Sequence, residues 1–152
     1  MDRALETVLI VDDDADLTLL LKITLPRHWT SARLTVLVAH TLDEARAVLA
    51  LSPVDLVVLD LRVPGRNGLT AVHHLLHAMQ RILGRLLPVV VLSGYLSDIM
   101  EDQALRLGMQ ACIQKGADKL PQRLAEAMRA AWARYQYIEE RLRLVCEAGA
   151  HG

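Results

Sequence analysis

Apolar and polar positions along the chain follow two periods. Five short stretches are dominated by Val, Leu, Ile and Ala: Thr7–Val11, Leu34–Ala39, Val54–Asp60, Pro88–Ser93 and Gln110–Gln114. Runs of this length bounded by turn-forming residues predict strands. Between them apolar residues return every three or four positions, the spacing of a helix with one buried face. Leu17, Leu20, Leu21 and Thr24/Leu25 mark the first helix, capped by one of Asp12–Asp14 and limited by Pro26, with His28–Arg33 as a loop. Thr41-Leu-Asp-Glu44 is a capping box for the second, along Leu42, Ala45, Val48 and Leu49, with Glu44 reaching back to the cap. Gly68 begins the third, whose buried stripe is Leu69, Val72, Leu75/Leu76, Met79 and Leu83. Ser97 caps a fourth through Leu107, ended by Gly108 at C′. Asp118 caps the last, with Pro121 in its first turn and a run as far as Glu147.

The middle stretch sets the topology. Val57, Val58 and Leu59 have no polar residue between them, so this strand is buried on both faces, the mark of a central strand in a helix-covered parallel sheet. Five strands alternating with five helices, joined by right-handed crossovers, predict an α/β doubly wound sheet of the flavodoxin-like (βα)5 type. Its strand order is 2-1-3-4-5, with a switch point between the first and third strands.

Composition narrows the class. The chain has 152 residues, 53% hydrophobic and 23% charged, which suits one globular domain rather than a disordered chain. Phe is absent, so Leu, Val, Ala, Ile and Met must build the core. A net charge of −1 offers no basic excess for nucleic acid, and no apolar run approaches the ~18 residues of a membrane span. The opening Met1-Asp-Arg-Ala-Leu-Glu6 is no signal peptide, and Cys112 and Cys146 make no disulfide framework or metal spacing. Cytoplasmic location is the expectation.

Polar groups stand where four of the strands end: Asp12-Asp13, Asp60, Ser93 and Lys115. In a parallel sheet these ends share the carboxyl edge, where ligands bind. Carboxylates gathered there repel, and a hard divalent cation, Mg²⁺ or Mn²⁺, relieves the repulsion. A lysine and a hydroxyl beside it suit a dianionic tetrahedral group, and a carboxylate can serve as nucleophile towards phosphorus. Val63-Pro64-Gly65-Arg66, just after Asp60, reads as a type II turn.

Taken in order, Leu9-Ile-Val-Asp-Asp-Asp14, Val58-Leu-Asp-Leu-Arg-Val-Pro-Gly65 with Gly68, Val91-Leu-Ser-Gly94 and Ile113-Gln-Lys-Gly116 make the sequence resemble the receiver domain of bacterial response regulators. The resemblance covers residues 6–131, leaving 132–148 as a helical extension, a dimerisation or connector segment. It implies a single-domain, chemotaxis-regulator-like phosphoacceptor of a two-component phosphorelay rather than an enzyme. Asp60 would take phosphoryl from a sensor histidine kinase or histidine phosphotransfer protein. Asp12, Asp13, Asp60 and the backbone carbonyl of Arg62 would hold the metal, with Asp13 a direct ligand. Lys115 and Ser93 would bind the phosphoryl oxygens, and the face made by the fourth helix, fifth strand and fifth helix would switch towards a downstream protein target. Two positions depart from the family pattern. Gly116 stands where a proline often follows the lysine, and Cys112 stands where the switch aromatic usually lies. Tyr95 is a candidate accessory to the switch in its place.

The last helix carries a second signal. Leu124, Met128, Ala131, Tyr135, Ile138, Leu142 and Val145 keep a 4-3-4-3-4-3 spacing, a coiled-coil-like seam. The part from Tyr135 onward predicts a homodimer seam at Tyr135, Ile138, Leu142 and Val145. The alternative function is a phosphorylation-independent dimerisation or adaptor module with a receiver fold. A phosphohydrolase of the haloacid dehalogenase type would also use an aspartyl phosphate, with Asp12-Asp13-Asp14 as its acids, but a cap domain and a further acidic loop are missing. His73 and His77, spaced i, i+4, have no supporting Cys or acid and read as a solvated helix face.

Overall fold

The structure, a computed structural model, describes residues 3–29, 33–63 and 66–150. Five strands, β1 Thr7–Val11, β2 Thr35–Ala39, β3 Leu56–Leu59, β4 Val89–Ser93 and β5 Ala111–Gln114, form one sheet in the order β2-β1-β3-β4-β5. Every pairing within it is parallel. Helices α1 Ala15–Thr24, α2 Leu42–Leu51, α3 Leu69–Leu83, α4 Asp98–Arg106 and α5 Leu120–Ala150 connect and cover the strands, and a 3₁₀ turn, Leu25–His28, follows α1. This is the doubly wound arrangement expected from the alternation.

Two-faced burial of β3 follows from the period of two. Val57 and Leu59 pack into one core with Leu9, Val11, Val89 and Val91, beneath α2 and α3. Leu56 and Val58 pack into the other with Val8, Ile10, Val90 and Leu92, beneath α1 and α5. Among the described residues no helix is long and apolar enough to cross a membrane.

Caps account for most element boundaries. Asp14 accepts from the Leu17 amide, Thr41 from that of Glu44, and Ser97 from that of Met100. Gly108, at φ +97, ends α4 in a conformation that disfavours any side chain. The structure also corrects details. Glu44 reaches the His40 amide, one residue beyond the cap. In α1, Leu20 is exposed and Thr18 buried, because the Thr18 hydroxyl is satisfied by the Ala15 carbonyl. The residue before α5 is not Asp118 but Lys119, at φ +55, whose carbonyl accepts from Arg123. The turn expected at Val63–Arg66 centres on 64 and 65, outside the described residues. The segments flanking it, Arg62–Val63 and Arg66–Asn67, pair antiparallel, a small hairpin with no sequence forecast.

At the amino edge of the sheet a polar clamp joins both ends of the chain. Buried Asp55 accepts from the amides of Glu6 and Thr7 at 3.0 Å each and pairs with Arg3 at 2.7 Å. The Arg3 guanidinium lies 5.1 Å from the Trp132 ring centroid, and the Arg3 carbonyl accepts from the Trp132 indole and the Gln136 amide. Helix α5 starts at the carboxyl edge after β5, so by Gln136 it has crossed the sheet. Beyond that point Ile138, Leu142 and Val145 are 50, 60 and 66% exposed.

Asp55→Ala leaves two partly buried backbone donors without their acceptor and should cost about 1–2 kcal/mol. Asp55→Asn, which keeps an acceptor, should lose less. Denaturant midpoints of the three proteins measure this, and equal midpoints for Asp55→Ala and the parent would contradict the clamp.

Candidate functional site

Three strand ends are pinned by one ladder hydrogen bond beyond the strand. The Asp12 amide donates to Ala39, that of Asp60 to Val11, and that of Lys115 to Ser93, at 3.0, 2.9 and 2.8 Å. The backbone of the site is therefore an extension of the sheet, and its side chains have little freedom to separate. Asp12, Asp60 and Ser93 are buried, Lys115 is partly covered, and Asp13 is exposed.

The Lys115 Nζ lies 2.8 Å from Asp12 Oδ2 and 3.0 Å from Asp60 Oδ2, donating a hydrogen bond to the latter. Asp12 Oδ1 accepts from the Asp14 amide at 3.0 Å, and Asp60 Oδ1 from the Arg62 amide at 3.1 Å. Asp12 Oδ2 is fully buried and, despite its charge contact with the lysine, has no hydrogen bond of good geometry. Burial raises the pKa of Asp12, helped by the Asp60 charge and opposed by the adjacent Lys115 ammonium and the Asp14 amide. Burial pushes Lys115 down, but its hydrogen bond to Asp60 and its charge contacts with Asp12 and Asp60 win, and its pKa is raised overall.

One carboxylate oxygen each from Asp12, Asp13 and Asp60 lies within 4.8 Å of the others. Such oxygen donors can hold a hard divalent cation, and the orphaned Asp12 Oδ2 fits that use. Among the described residues this is the one His, Cys, Asp and Glu group close enough to do so. His73 and His77 are exposed on α3, outside it.

The Ser93 hydroxyl donates to the Tyr95 carbonyl at 2.9 Å. The Tyr95 ring is 62% exposed, so its backbone rather than its ring meets Ser93. The Gln114 side chain donates to the Gly94 carbonyl at 2.8 Å, tying the same loop to the end of β5. Cys112, half-buried on β5, has its thiol pushed up to about 11 by burial and by the charge of Glu101. Tyr135, placed at the head of the seam by its spacing, is engaged within the chain. It stacks on Trp132 with ring centroids 5.7 Å apart, donates to Glu139 and accepts from Arg85. The Asp14 and Arg62 amides, the Tyr95 carbonyl and Gln114 had no signature in the sequence. Three of them are backbone groups of turns, which any residue supplies.

A family model described as "Response regulator receiver domain" matches residues 8–129. The response regulator protein PilR of Pseudomonas aeruginosa is 33% identical over 126 residues, 82% of this chain and 26% of PilR. The transcriptional regulatory protein CpxR of Klebsiella pneumoniae is 35% identical over 108 residues, 71% of this chain and 42% of CpxR. The chain thus spans less than half the length of either relative. A CheY-like response regulator receiver domain protein from Methanospirillum hungatei superposes with a TM-score of 0.69 at 23% identity, over 88% of this chain and 98% of that one. It shares the fold.

Because burial raises the Asp12 pKa, the folded chain keeps that proton longer than the unfolded chain does. This contribution makes stability fall as pH rises out of the ordinary carboxylate range. Asp12→Asn should remove that decline and raise the melting temperature at neutral pH in chelator-treated buffer. Melting curves across a pH series test this, and a lowered midpoint at neutral pH would contradict it. With iodoacetamide at neutral pH, exposed Cys146 should react well before Cys112, whose labelling should rise only on approach to its raised pKa. Peptide mass mapping over time reads the order, and equal rates would count against the burial argument.

Proposed function

The chain belongs to the response regulator receiver family of two-component signalling, and from that membership we propose that Asp60 accepts a phosphoryl group. The observation that carries the reading is a buried carboxylate held between the Arg62 amide on one oxygen and Lys115 on the other. The donor is a histidine phosphorylated by its own kinase, on a sensor kinase or a phosphotransfer protein. A carboxylate oxygen of Asp60 bonds to phosphorus as the phosphorus–nitrogen bond breaks, and the imidazole leaves with the electron pair.

Asp12, Asp13, Asp60 and the backbone carbonyl of Arg62 would hold Mg²⁺ or Mn²⁺. Such an ion, when bound, offsets the negative charge gathered on carboxylates and phosphoryl oxygens. Lys115 leaves the carboxylates for a phosphoryl oxygen, keeping its ammonium against the same region of charge. Ser93 exchanges its bond to the Tyr95 carbonyl for one to the phosphoryl group. Gln114 holds the neighbouring Gly94 carbonyl, so a change in this loop is felt at the end of β5. Cys112 lacks a ring to swing inward, and the backbone of residues 93–95 carries the signal instead. Residues 6–131 form the receiver unit, 132–148 extend it, and output passes through the α4–β5–α5 face to a downstream protein. The chain acts as a cytoplasmic signalling module rather than an enzyme.

Incubation with acetyl phosphate and Mg²⁺, followed by intact mass measurement, tests the acceptor. A single phosphoryl adduct is expected, lost in Asp60→Asn and when a chelator replaces the metal. Ser93→Ala should retain the adduct, since the serine binds the product rather than forming the bond. An adduct that persists in Asp60→Asn would assign the chemistry elsewhere.

A further inference from the structure

Among the described residues nothing covers the apolar side of the last turns of α5. Ile138, Leu142 and Val145 are half or more exposed, yet they continue the spacing of Leu124, Met128 and Ala131, which are fully buried. A seam that repeats every 3.5 residues suits packing along another helix, because it keeps one stripe facing a supercoiled partner. On the other side of the helix, Arg143 pairs with Glu140 at 2.5 Å and with Glu147 at 2.6 Å. That polar face is satisfied by its own ion pairs, and the apolar face is the one in need of a partner.

The charges beside the seam choose the partner and its direction. With Ile138 and Val145 at d and Tyr135 and Leu142 at a, Arg134 and Arg141 fall at g and Glu139 at e. When two such helices run parallel, g of one chain meets the following e of the other, so Arg134 faces Glu139 of the second copy twice over. Antiparallel pairing sets g against g and brings arginine to arginine. Arg134 donates to Gln110 through Nε and Nη2, and Glu139 accepts from Tyr135 on Oε1, so Nη1 of one chain and Oε2 of the other serve the pair across the seam. Leu at a with Ile at d leans by itself towards three or four strands. The charged flanks oppose this, because further helices would bury them. By Gln136 the helix has passed the amino edge of the sheet, so the receiver body does not stand between the two seams.

We propose that the Ile138–Val145 face of α5 is a parallel, two-fold interface with a second copy of this chain. It stands apart from the phosphoryl reading, resting only on the helix beyond the sheet. The experiment uses the full chain. Sedimentation over a range of concentrations into the high micromolar should give a monomer–dimer equilibrium. Leu142→Glu should shift it to monomer while the thermal midpoint of the receiver stays put, since Leu142 touches no core. In a Cys146→Ala background, Ile138→Cys should cross-link to a dimer under mild oxidation, because d meets d only when helices run parallel. The background protein without Ile138→Cys should not cross-link. A monomer at all concentrations overturns the proposal and leaves the face to a different protein. A dimer indifferent to Leu142→Glu, a dimer without the Ile138→Cys cross-link, or a mass of three or four chains overturns it as well.

Discussion

Two buried carboxylates on neighbouring strands cannot move apart, and this constraint governs the molecule. The Asp12 and Asp60 amides are bonded into the sheet, so their side chains open on one small space at its carboxyl edge. Mutual repulsion and loss of water both act against the charged pair. Lys115 enters between them from a third strand end and offsets part of that cost, leaving Asp12 Oδ2 without a hydrogen bond. The sheet supplies the rigidity that makes such a site tolerable. It does so through β3, buried on both faces, whose last two residues before Asp60, Val58 and Leu59, cannot shift without opening two cores.

What could be read from sequence follows the same division. Thr7–Val11 coincides with its forecast because a β-branched run between polar residues has one good solution. The meeting of Asp12, Asp60 and Lys115 was legible because parallel strands put all their ends on one edge, so order along the chain converts into proximity. Details that depend on one side chain meeting one carbonyl were not legible. Thr18 outcompetes Leu20 for burial because its hydroxyl is satisfied within its own turn. Lys119 rather than Asp118 precedes α5 through a left-handed backbone that composition does not disfavour strongly enough to flag. The Arg62–Asn67 hairpin is two residues a side, too short for an alternating pattern.

The region around Ser93 shows how a chain without the usual ring can still tie its site to its surface. Ser93 is fully buried, and its hydroxyl bonds backbone two residues ahead. Gln114 grips the intervening carbonyl from the adjacent strand. Residues 93–95 are thus held from two sides by side chains, one belonging to the site and one to the edge strand. Cys112, opposite Val91 on the neighbouring strand, is a half-buried thiol whose pKa is raised by burial.

The amino-edge clamp has a mechanical consequence. Loops ahead of three strands grip α5 as it leaves the sheet: Arg3 meets Trp132 and Gln136, Arg85 meets Tyr135, and Gln110 meets Arg134. A rod seized at three points around its girth has its heading fixed, and motion at the socket appears enlarged at the far end. The fifteen or so residues past the grip make an arm of about 22 Å, so a tilt of about ten degrees at the base sweeps the tip by ~4 Å. That is most of a helical turn, enough to take one apolar stripe out of register with another.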